Sequence, residues 1–87
     1  MATLDQDITE AWIDIKSELS LVDGKRYIFQ SRGSAYTYFE GAEPASDEFG
    51  VHMKDLEKIG VVPEAGVSIW VRSEGSVKGR IFVNDGA

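Results

Sequence analysis

The chain has no cysteine, one histidine and two prolines in 87 residues. Each scarcity closes a line of chemistry. Without cysteine there is no disulfide, no thiol nucleophile and no thiolate metal ligand. A chain that never relied on oxidative stapling is expected to fold inside a cell. His52 stands alone, whereas zinc sites draw on several His or Cys ligands. A triad would need a serine and an orienting acid to converge on His52, and no Gly-x-Ser-x-Gly elbow marks that serine. A structural or surface role is expected for His52. Basic residues are also few, with nine Lys and Arg against fifteen Asp and Glu, a formal net charge of −6. Nucleic acid and anionic membrane are therefore not the expected partners, since both favour a basic stripe. No run reaches the roughly 18 apolar residues of a membrane span. The opening "MATLDQDITEAW" lacks the basic-then-apolar order of a signal peptide. A product made in the cytoplasm is expected.

What remains is a globular balance: hydrophobic residues make up 43% and charged residues 28%, enough for one core. A domain of this size buries only about 60–65% of its unfolded surface. Oligomerisation or docking would add apolar burial that one small core cannot supply. The acidity is uneven. Residues 1–48 hold ten acids and four bases, and residues 49–87 hold five of each. The acidic half is expected to be a solvated face, with a basic partner surface as the functional alternative.

The organisation reads as one domain. Residues 1–10 are polar and are expected to form an N-terminal arm, leaving residues 11–87 as a single β domain. Trp12, Ile15 and Leu19 fit a helical spacing, whereas Ile13 and Ile15 alternate as in a strand. The strand reading through residues 12–15 is preferred. Asp23-Gly24 signals a turn. Residues 25–30 and 35–40 then read as strands closed into a hairpin around Gly33. Tyr27 and Phe29 share one face of the first; Tyr36 and Tyr38 share one face of the second. Thr37 and Phe39 lie opposite, so both faces are partly apolar. "GAEPASDEFG" is a loop punctuated by Gly and Pro. A short strand over residues 51–53 leads to a helical turn or irregular stretch ending near Gly60. "VSIWVRS" alternates strictly, with Val67, Ile69 and Val71 opposite Ser68, Trp70 and Arg72. "EGSVKG" turns the chain into "RIFVND", and these last two strands are expected to pair as a hairpin. The sum is an all-β fold, a small antiparallel sandwich or Greek-key barrel of six or seven short strands.

Motifs for chemistry are thin. Asp5, Asp7 and Glu10 form one acidic cluster, and Glu40, Glu43, Asp47 and Glu48 another. Calcium needs six to eight oxygens, and neither cluster follows an EF-hand loop. A carboxylate pair for glycoside hydrolysis needs a cleft that a small domain has little room to build. The glycine runs match no phosphate-binding loop. No catalytic residue, metal ligand or cofactor site is expected. The aromatic set exceeds what a one-sided core needs. Aromatic residues with arginine anchor protein interfaces, so Trp12, Tyr36, Tyr38, Trp70 and Arg72 are the candidate interface residues.

The order of features resembles small structural proteins of tailed phages and prophages. The matching residues are Gly24-Lys25, Tyr27, Gln30, Arg32-Gly33, Pro44 to Asp47, Ile69 to Ser73 and Arg80 to Val83. That group is more Gly- and Pro-rich where this chain has "HMKDLEKIGVVPEAG". The resemblance implies a non-enzymatic virion component, foremost a capsid decoration or cement protein, with a tail or connector part as the alternative. Its implied partner is a phage coat or other virion protein. A homo-oligomer is expected, a trimer being the natural form at a threefold lattice position. An acidic module that inhibits a basic protein is the reading from a different class. A carbohydrate binder stacking sugars on Trp12, Tyr36 or Trp70 comes third.

Overall fold

The structure is a computed structural model and describes residues 3–46, 48–74 and 78–85. Asp47 of the second acidic cluster and residues 75–77 of the expected last turn lie outside the described residues. Eight strands are described: β1 (Thr3–Ile8), β2 (Ile13–Asp14), β3 (Tyr27–Arg32), β4 (Tyr36–Glu40), β5 (Val51–Met53), β6 (Lys58–Val61), β7 (Ile69–Ser73) and β8 (Gly79–Asp85). They form two four-stranded antiparallel sheets, ordered β1-β8-β3-β6 and β2-β7-β4-β5. The fold is a small all-β globule, consistent with a β-sandwich, as the alternating sequence predicts.

Period-two alternation builds the core from both sheets. Ile8, Tyr27, Phe29, Val61, Ile81 and Val83 come from the first; Tyr36, Tyr38, Met53, Ile69 and Val71 come from the second. Phe29 meets Tyr38 across the gap, edge to face, with ring centroids 6.3 Å apart. Fully burying such a side chain contributes roughly 1.5–3 kcal/mol. Ile15 and Leu21 close one end of the core.

Several expected elements differ. Within the expected N-terminal arm, Thr3–Ile8 is a strand of the sheet, because β1 pairs along β8 from Thr3↔Asn84 to Ile8↔Gly79. Its acids conceal a strand: Asp5 and Asp7 face outward and bond Arg80, while Ile8 is wholly buried. Residues 12–15 satisfy both readings in part. A two-residue strand ends at Asp14, whose carboxylate caps the short helix α1 (Ile15–Glu18) by accepting from the Ser17 amide. Lys58–Val61 is a strand where a helical turn or irregular stretch was expected.

Neither expected hairpin forms. β3 and β4 belong to different sheets, as do β7 and β8. Gly33, at φ +101°, turns the chain, but the turn carries it across the core from one sheet to the other. Local sequence marks a reversal without stating which sheet the next strand joins. β4 and β5 are the one consecutive pair of described strands within a sheet. The chain re-enters at Gly50, where a Cβ would stand 2.4 Å from the Tyr38 carbonyl oxygen.

Candidate protein interface

The register of the second sheet gathers its outward side chains. Phe39 lies opposite Trp70, and Thr37 opposite Arg72. Asp14 pairs with Trp70, which brings Trp12 level with Arg72. Arg72 stacks over the Trp12 ring at 4.6 Å, and Trp12 meets Phe39 with centroids 6.1 Å apart. Three of the five expected interface residues thus meet on one outer face.

The chain covers that face with its own β4–β5 loop, described at residues 41–46 and 48–50. The Trp70 indole N–H donates to the Gly41 carbonyl at 3.0 Å, and the Trp12 indole N–H donates to the Ala45 carbonyl at 3.0 Å. Arg72 donates through Nη1 to the Ser46 carbonyl and through Nη2 to the Glu48 carbonyl, the latter at 3.2 Å. Pro44 is buried within the loop. Trp12, Trp70 and Arg72 therefore clamp the loop from beneath. Tyr36 and Tyr38 correct the expectation more fully: they are 0% and 6% exposed and lie in the core. Alternation places both on the inner side of β4, a side the sequence left open. Burial pushes both phenols above their ordinary range, with Glu57 adding to the effect at Tyr36 and Glu40 at Tyr38.

What the clamped loop displays is Phe49, 90% exposed. Val51, 57% exposed, begins β5 at the sheet edge. Beside them runs an open groove of about 630 Å³, whose lining includes Glu10, Glu48, His52 and Glu74. His52 Nδ1 pairs with Glu74 Oε2, and the Thr37 hydroxyl donates to that same oxygen at 3.2 Å. The hydroxyl bonds the acid rather than the imidazole, so these three do not form a nucleophile–base–orienter chain. Among the described residues, no three His, Cys, Asp or Glu side chains converge to hold a metal. The groove's carboxylates outnumber its one arginine, whose guanidinium is engaged by loop carbonyls.

The outer face of the first sheet over β3 and β6, away from Asp5 and Asp7, has the opposite character. Ile28 and Phe82 line a hollow of about 240 Å³ with Gln30, Arg32, Lys58 and Asn84. Arg32 lies over the Phe82 ring at 4.5 Å. Arg26 packs beside Gly60, where a Cβ would stand 2.9 Å from its Nη2. Arg26, Arg32 and Lys58 have no carboxylate within ion-pairing distance among the described residues, whereas Arg80 is bound by Asp5 and Asp7. That engagement, Asp5 foremost, raises the Arg80 guanidinium further above its ordinary range. The Asn84 Oδ1 atom is buried and accepts no hydrogen bond from the protein.

Phe49 and this hollow escaped the sequence reading. The signal for Phe49 was an aromatic residue inside a loop of Gly, Pro, Ser and acids, where no core position is available. No signal marked the hollow, which requires knowing that β3, β6 and β8 are neighbours.

No family model matches the sequence, and no curated protein or solved structure is significantly similar to it.

Proposed function

We propose that this protein is a non-enzymatic structural component of a tailed-phage particle, foremost one that decorates or cements the assembled capsid. One observation carries the adhesive part of this reading: Phe49 projects into solvent from a loop held by four side-chain hydrogen bonds. A rigid, displayed aromatic is what a protein interface uses as an anchor, because its ordering cost is met before binding. The particle rests on the motif resemblance alone, as no family model, curated protein or solved structure matches. Many copies on a symmetric lattice make a modest single contact sufficient.

The test is co-sedimentation with assembled shells, and separately with free coat subunits, of the phage that encodes the chain. The wild type is expected to sediment with shells and to leave subunits unbound. Phe49→Ser is expected to weaken shell binding about thirtyfold or more, the scale of an interface hot spot. The acidic groove favours a second reading, an inhibitor of a basic protein. That reading requires one-to-one binding in solution that falls steeply with salt, with no preference for shells.

A further inference from the structure

We infer that the partner of the Phe49 loop includes a second copy of this chain, whose hollow on the outer face of β3, β6 and β8 receives Phe49 in a head-to-tail contact. The inference rests on reading the loop as an anchor and adds what the anchor enters.

The two surfaces match in two respects. The first is apolar fit. Phe49 offers a phenyl ring 90% exposed, and the hollow offers Ile28 and Phe82 in a space of about 240 Å³. A displayed aromatic and a pre-existing pocket elsewhere on the same molecule make a complementary pair. The second is charge. Glu48 precedes Phe49, and Glu10 and Glu74 line the adjoining groove. The hollow carries Arg32 and Lys58, with Arg26 along the same strand face, none of them bound by a carboxylate among the described residues. Arg32 and Lys58 set two cations in one hollow of a chain whose net charge is −6, and the acidic loop complements them.

The loop and the hollow lie on outer faces of opposite sheets. One copy's Phe49 cannot fill its own hollow. The contact joins two different patches, so it is heterologous: it propagates from copy to copy and ends only if the rotation closes a ring. The trimer that the sequence reading expects is one closed solution.

Light scattering over a dilution series of the full chain at low salt tests this. The wild-type mass is expected to rise with concentration and to fall on adding salt. Phe49→Ser removes the knob, and the pair Arg32→Gln with Lys58→Gln disables the hollow; each variant is expected to stay monomeric. All three positions are exposed, and circular dichroism checks that the variants remain folded. An equimolar mixture of the two variants decides the matter. It retains one knob and one intact hollow per pair, so it is expected to give a dimer and nothing larger. A wild type that stays monomeric at high concentration overturns the inference, as does a mixture that fails to pair or a hollow variant that still assembles. Shell co-sedimentation separates the two readings. A monomeric wild type that binds shells through Phe49 overturns the self-contact alone, whereas Phe49→Ser without effect on either readout overturns both.

Discussion

Replacing Arg72 by alanine should release the β4–β5 loop while leaving the sandwich folded. Arg72 spends its guanidinium on two loop carbonyls, Ser46 and Glu48, and stacks on Trp12. The side chain is only partly buried, so water replaces part of what is lost. Because the setting is wet, each hydrogen bond is discounted below the range for a charged donor, to about 1 kcal/mol. The stacking adds about 0.5 kcal/mol at an exposed site. The sum, about 2.5 kcal/mol, corresponds to a loop-opening equilibrium shifted by between ten- and a hundredfold. Native-state hydrogen exchange reads that shift directly. The Glu48 amide donates to Ala45 across a turn inside the loop, and the Arg72 bonds to Ser46 and Glu48 hold that turn; the Gly41 amide bonds Ser68 one step beyond the Glu40–Ile69 pair of the β4–β7 ladder. Glu48 exchange is expected to accelerate by that factor, while the Gly41 amide and the Phe29 and Val83 amides in the β3–β8 ladder stay within a fewfold. Arg72→Lys keeps the charge without the planar fork and should fall between. Exchange of Glu48 within threefold of wild type in Arg72→Ala would refute the clamp.

Tyr36→Phe is expected to raise stability by about 1 kcal/mol in urea unfolding, because the buried Tyr36 hydroxyl has no hydrogen-bond partner. The raised Tyr36 and Tyr38 phenols predict an alkaline limit: the folded state keeps both protonated where the unfolded chain ionises. Their contribution is complete below pH about 10 and is lost as pH climbs beyond it, by up to about 1.4 kcal/mol per tyrosine per pH unit; Tyr36→Phe should make that fall shallower. Gly50→Ala is expected to destabilise by about 1–3 kcal/mol through overlap with the Tyr38 carbonyl and the Thr37 methyl, read from the urea midpoint. Ile8→Ala is expected to cost about 2–5 kcal/mol, whereas in a dispensable arm the change would be silent in the same assay.

Alternation made most of the fold legible. "VSIWVRS" states its own inner and outer faces, and Ile69, Val71, Trp70 and Arg72 lie where that pattern puts them. Pairing is different information. The hairpin expected between Tyr27 and Glu40 rested on a turn at Gly33, and turn chemistry specifies a change of direction, not the sheet that the next strand joins. β1 was hidden because its outward residues are acids and the basic residue that balances them, Arg80, is far away in sequence. The candidate site was half legible for the same reason. Trp12, Trp70 and Arg72 were recognisable as surplus to a core. That their polar atoms would be consumed by residues 41–50 depends on a long-range fold-back that no local pattern encodes.

The topology explains why this loop, rather than another, can display a residue. Six of the seven connections between consecutive described strands cross from one sheet to the other. Packed sheets stand about 10 Å apart, and a crossing connection is drawn over the end of the sandwich to span that gap. The β4–β5 connection has no gap to span. Its ten residues, 41–50, join neighbouring strands, and a hairpin needs only two to five. The excess length is free to lie back over the outer face of its own sheet. There it meets two indole N–H groups and a guanidinium that would otherwise face water, and they hold it. The clamp and the display are thus one arrangement. The aromatics that hold the loop are withdrawn from the surface, and Phe49, which contributes nothing to holding it, is left outward. A residue placed so is dispensable for folding and available for contact, which is why Phe49→Ser is the variant that separates adhesion from stability.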